Sequence, residues 1–169
     1  ASLETIDFAA KHKYPYMTVF MPMAQRKAAY QMYQRVAEEK YGYEVPPNQL
    51  AFCTPVLVAE NDAIAYETAK KYMMWLFHKG LKVKPEFNFP PGYVSEKSFL
   101  GILKAGVRGF QTSTLDDLIE QGIVIVGGPD TVNEKLSYYT DELKAGMLVS
   151  GGHVGDIPDY LVCKNQEIM

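Results

Sequence analysis

Apolar runs and amphipathic stretches alternate along this chain, and the period of the pattern assigns most of its elements. Ser2 is a good N-cap, and Leu3, Ile6, Ala9 and Ala10 behind it form one apolar stripe at helical spacing, which predicts a first helix ending before Pro15. Residues 16–21 are nearly unbroken apolar, the pattern of a strand buried on both faces. A helix follows over about 24–40, with Ala28, Met32 and Val36 at intervals of four, broken by Gly42 and Pro46-Pro47. Residues 50–58 read as a second buried strand. Pro55 inside it removes a ladder donor and predicts a bulge. The next helix, over 62–78, carries Ala65, Ala69, Tyr72, Met73 and Leu76 on one face, and Gly80 stops it.

The pattern then fails. Residues 81–94 are aromatic, Pro-rich and aperiodic, and so long a connection within an α/β domain points to a lid, a binding loop or a connector without fixed structure. A short helical stretch over 95–103 leads out of it. Thr114-Leu115-Asp116-Asp117 has the form of a capping box for a helix ending at Gly122. Residues 123–126 are a short apolar strand. Gly127-Gly128-Pro129-Asp130 opens a long helix, with Pro at its first position and its close at Gly146. Residues 147–151 are the last strand, followed by a Gly-rich turn and a helix over 158–169.

Strands separated by helices imply parallel pairing, because parallel neighbours need a crossover rather than a tight turn. The chain starts in a helix with no strand before it and ends in a helix with no stop signal, so it reads as one part of a larger barrel or sheet. Composition changes this picture little. Hydrophobic residues make up 47%, the net charge is −3, and no block of Lys or Arg favours nucleic acid. No apolar stretch reaches the length of a membrane span and no signal peptide opens the chain, which suggests a cytoplasmic setting. Cys53 and Cys163 lie far apart and suit buried thiols in a reducing compartment. His12, His78 and His153 share no metal-ligand spacing, so no metal site is expected.

The order of the pieces resembles the C-terminal half of a luciferase-like flavin monooxygenase. Four features carry the resemblance: Ser2-x-x-Thr5 opening a helix that leads into Pro15-Tyr16-Met17-Thr18-Val19-Phe20; the Pro90-Pro91-Gly92-Tyr93 insertion; Val126-Gly127-Gly128-Pro129-Asp130-Thr131-Val132; and Gly155-Asp156-Ile157-Pro158 before the last helix. Gly128 departs from the family pattern, where Thr is commoner. The resemblance implies a partial (β/α)8 TIM barrel, with residues 1–169 forming the C-terminal part of one domain, roughly strands six to eight, and residues 81–94 an insertion. It implies FMN as cofactor, an organic substrate and O2, a flavin reductase as partner, and a homo-oligomer. The catalytic residues would then lie outside this chain. An F420-dependent oxidoreductase of the same fold, or a non-catalytic half-barrel acting by association, are the rival readings.

Cofactor-binding candidates follow from the same match. A helix N-terminus offers free N–H groups and positive potential to a phosphate. Ser2 and Thr5, one turn apart, would add hydroxyl donors there, with a plain N-cap as the structural alternative. Val19 and Phe20, at the C-terminal end of the first strand, would line the isoalloxazine pocket, with barrel packing as the alternative. Gly127-Gly128 is a second place where an anion could sit, although two glycines usually make only a turn. His153 follows the last strand, where barrel active sites lie, and is more readily an exposed side chain than a general base.

Overall fold

The computed structural model describes residues 3–82, Gly92 and residues 109–169. Ser2, most of the 81–94 insertion and the helical stretch over 95–103 lie outside the described residues. The elements are α1 (Leu3–Lys11), β1 (Tyr16–Val19), α2 (Met23–Tyr41), β2 (Leu50–Thr54), β3 (Val56–Val58), α3 (Asp62–Thr68), α4 (Gly109–Thr112), α5 (Leu115–Glu120), β4 (Ile125–Gly127), α6 (Pro129–Leu143), β5 (Met147–Ser150) and α7 (Asp159–Ile168). Every strand pair among the described residues is parallel, as the alternation requires. The fold is that of a TIM-barrel arc with helices over one face of its strands.

The strands form two sheets joined through one stretch of chain: β1-β2-β5, and β3-β4. Pro55 stands at the switch between them instead of forming the expected bulge. Alternate residues of an extended chain send their backbone groups to opposite sides. Thr54 O accepts from Gly151 N on the β5 side, and Pro55 O accepts from Ile125 N on the β4 side. Pro55 has no N–H to leave unpaired, which makes it tolerable where the partner strand changes. The β5-facing edge of β3 is covered by Asn165 of α7. Its Oδ1 accepts from Val58 N at 2.7 Å and its Nδ2 donates to Val56 O at 3.2 Å, so a buried side-chain amide stands in for a neighbouring strand.

The helix-facing side of the sheet is the dense one. Of the apolar positions at intervals of four in α2, Met32 and Val36 pack partly buried against the core and Ala28 is exposed, while the fully buried face is Arg26, Tyr30, Tyr33 and Ala37. Tyrosine can turn inward here because each hydroxyl finds a partner: Tyr30 donates to Ala51 O and pairs with Thr18 Oγ1, and Tyr33 donates to Tyr14 O at 2.9 Å. These contacts also run α2 antiparallel to β1. Gly42 closes the helix in the left-handed conformation, with its N–H on Glu38 O and that of Tyr43 on Ala37 O.

β1 is not buried on both faces, contrary to the reading of its apolar run, and β5 is partly exposed as well. Register puts Met17, Ala51 and Met147 in one row, and Val19, Cys53 and Val149 in the next. Met17, Val19 and Val149 are 44–47% exposed on that inner, barrel-side face. Neither cysteine is buried either: Cys53 is half-buried and Cys163 exposed, both as free thiols.

Beyond α3 the chain continues in wide π-helical turns, Ala69–Met73 and Leu76–Gly80. Ala65, Ala69, Met73 and Phe77 are all fully buried, four residues apart. An α-helix would rotate such a row off the core, whereas wider turns keep it aligned. The capping box of α5 forms as expected, with Asp117 N donating to Thr114 Oγ1 and Thr114 N to Asp117 Oδ2. Pro129 opens α6, but the helix ends at Leu143, where Lys144 takes the left-handed conformation (φ 53°), and not at Gly146. Gly146 is needed for packing: a Cβ there would sit 2.9 Å from the Pro47 backbone.

Candidate functional site

In a barrel of parallel strands, the C-terminal ends of the strands and the N-termini of the helices that follow share one rim, and chemistry is built there. β1 delivers Val19 and Phe20 to this rim. Val19 projects on the open inner face beside Cys53 and Val149, an apolar and uncharged surface that suits a flat aromatic ring. Phe20 differs from expectation. Its backbone is left-handed (φ 48°), and its half-buried ring packs edge-to-face on Phe77 with centroids 5.7 Å apart. The side chain expected to line an open pocket is therefore engaged with the turns after α3.

Thr5 lies on the exposed first turn of α1, between Glu4 and the buried Ile6. Asp7 of α1 bonds Lys40 and Tyr41 at the end of α2, and Tyr43 donates to Ala10 O. These contacts seat α1 beside the C-terminal part of α2. Ser2, its companion in the sequence argument, is outside the described residues. A groove of about 620 Å³ near the end of β1 is walled by helices, with Met23, Gly122 and Tyr139 among its residues; Thr5, Val19 and Phe20 are not among them.

The second anion candidate is occupied from within. Gly128 N donates to Asp62 Oδ1 at 2.6 Å, and Thr131 Oγ1 to Asp62 Oδ2 at 3.0 Å, so the first residue of α3 places its own carboxylate on the N-terminus of α6. These bonds, the Gly128 amide first, hold the Asp62 carboxyl below its ordinary range. Gly128 also explains the departure from threonine: a Cβ there would sit 3.2 Å from Asn61 Cα. The Gly128 amide is thus already paired within the chain, and Gly127 is the last residue of β4. His153 is exposed in the loop after β5. No group of three or more His, Cys, Asp or Glu that could hold a metal occurs among the described residues, and no helix there is long and apolar enough to cross a membrane.

Sequence reasoning missed Arg26. It is fully buried in the first turn of α2, its Cζ lies 5.3 Å from the centroid of Phe52, and none of its three guanidinium nitrogens has a hydrogen-bond partner. Desolvation pulls its pKa down. The signal available was a lone Arg at helical spacing from Tyr30, Tyr33 and Ala37, which hydropathy alone assigns to solvent.

No protein-family model matches the chain, and no curated protein matches it by sequence. Solved structures do. The monooxygenase RslO1 from Streptomyces bottropensis superposes over 99% of this chain and 43% of its own, with a TM-score of 0.67 and 14% identity. The oxygenating constituent of 3,6-diketocamphane monooxygenase from Pseudomonas putida, solved in complex with FMN, superposes over 96% of this chain and 44% of its own, with a TM-score of 0.62 and 18% identity. The coenzyme F420-dependent tetrahydromethanopterin reductase from Methanopyrus kandleri covers 95% of this chain and 46% of its own, with a TM-score of 0.54 and 19% identity. The chain thus spans less than half the length of these neighbours. At these identities the likeness is one of fold: the chain shares the architecture of luciferase-like TIM-barrel proteins, among them flavin-dependent monooxygenases and an F420-dependent reductase.

Proposed function

We propose that this chain is the C-terminal arc of a flavin-dependent monooxygenase domain, comprising residues 1–169 with 81–94 as its insertion. The observation that carries this reading is the superposition of nearly the whole chain on oxygenating flavoenzymes, together with an apolar, uncharged inner face at the rim. The residues fit FMN in character. Thr5 on the first turn of α1, with Ser2 just before it in the sequence, would hold the phosphate through hydroxyls and helix amides. Val19, with Phe20 behind it, would lie against the isoalloxazine ring. The reduced flavin would supply the oxygen-activating chemistry, with O2 and an organic compound as substrates and a separate reductase as its source of electrons. The chain's own part is to orient the flavin and to keep water from the inner face. A cytoplasmic location and self-association accord with this reading.

The F420-dependent neighbour keeps a second reading open, hydride transfer without oxygen on the same scaffold. Titrating the purified chain with FMN and with F420, followed by flavin absorbance and by F420 fluorescence, separates the two. The monooxygenase reading expects saturable binding of FMN and weaker binding of F420. The reverse order supports the reductase reading, and binding of neither contradicts both.

A further inference from the structure

Two costly backbone conformations meet at the end of β1. Phe20 is left-handed, a region that residues with a Cβ rarely occupy, and its ring offers no polar atom to compensate. Phe77 lies in the second π-helical turn, Leu76–Gly80, and such turns are less favourable than α-helix and concentrate at functional sites. The rings touch edge-to-face, 5.7 Å apart at 73°. Phe77 is fully buried and meets Phe110 of α4 on another side, at 5.8 Å, so it has no freedom to follow a displaced Phe20.

We propose that Phe77 is a positioning residue for the flavin rim: its ring holds Phe20 in the left-handed conformation and thereby fixes how Val19 is presented to the isoalloxazine. The inference rests on the flavin reading above. Without the ring contact, Phe20 would relax to negative φ, turning the Val19–Phe20 peptide and the end of β1 with it.

The test is a double-mutant cycle on flavin affinity in the full chain, with Phe20→Leu, Phe77→Leu and the double variant titrated with FMN. Urea unfolding confirms that each is folded, and Phe77→Met replaces Phe77→Leu where that variant does not fold. Each single variant is expected to weaken FMN about fivefold and to shift the bound-flavin absorbance band in the same way, and the double variant to bind no worse than the weaker single. Single effects that multiply to about 25-fold, or unchanged affinity in the Phe77 variant, overturn the positioning role while leaving the flavin reading intact. Failure of the wild type itself to bind flavin overturns that reading and the inference with it.

Discussion

Arg26 carries the sharpest residue-level consequence. A buried cation normally has an anionic or hydrogen-bonding partner, because desolvating it alone is expensive. Here the ring of Phe52 is its only partner of note among the described residues, and such a contact returns about 1–2 kcal/mol. Arg26→Met keeps the volume and removes the charge, so the fold should hold its stability or gain up to about 2 kcal/mol in urea unfolding. A loss of that size would show that the guanidinium has a partner in solution. Gly155 makes the opposite case. Its φ is 70°, and a Cβ there would collide with the carbonyl oxygen of Tyr72 in the π-helical turns. Gly155→Ala should cost about 2 kcal/mol or more, read as a lower unfolding midpoint.

At the scale of elements, Asn165 replaces a strand. Asn165→Leu leaves the N–H of Val58 and the carbonyl of Val56 buried without partners, and should destabilise by about 2–4 kcal/mol, measured by chemical denaturation. Nothing in the sequence marks this residue, since an Asn in an amphipathic terminal helix reads as solvent-facing. The elements themselves were largely legible: Gly42, the Thr114 box and Pro129 punctuate the chain through local chemistry that does not depend on tertiary context. What escaped was decided by tertiary packing. Tyr30 and Tyr33 of α2 join the core because their hydroxyls find backbone acceptors, and the turns after α3 widened to keep a row of every fourth residue on the core. Of the candidate site, the position of Val19 could be read from the strand pattern. The engagement of Phe20 with Phe77, 57 residues away by number, could not, and the carboxylate of Asp62 on α6 was equally invisible.

At the scale of the whole molecule, several carboxylates have lowered pKa values from specific contacts: Asp7 from hydrogen bonds to Lys40 and Tyr41, Asp62 from the Gly128 amide, Asp117 from Thr114, and Glu142 from Lys27. A carboxyl depressed in the folded state contributes stability that is present above its unfolded pKa and lost as pH falls through the folded value. Thermal midpoints should therefore be flat near neutrality and fall below about pH 4. A midpoint that rises on acidification would contradict these contacts.

Met17, Val19 and Val149 are exposed on the inner face of the β1-β2-β5 sheet, the side a flavin would approach in the proposed reading. In the proposed reading, the ligand's phosphate lies at the amino end of α1 and its ring on this face. Comparing FMN with riboflavin by equilibrium dialysis tests it most directly, since the two differ only in the phosphate. FMN should bind about tenfold more tightly, and a Ser2→Ala, Thr5→Ala double variant should abolish most of that preference while leaving riboflavin affinity unchanged. Equal affinity for FMN and riboflavin in the wild-type chain, or a preference that survives in the variant, would rule out this placement of the phosphate.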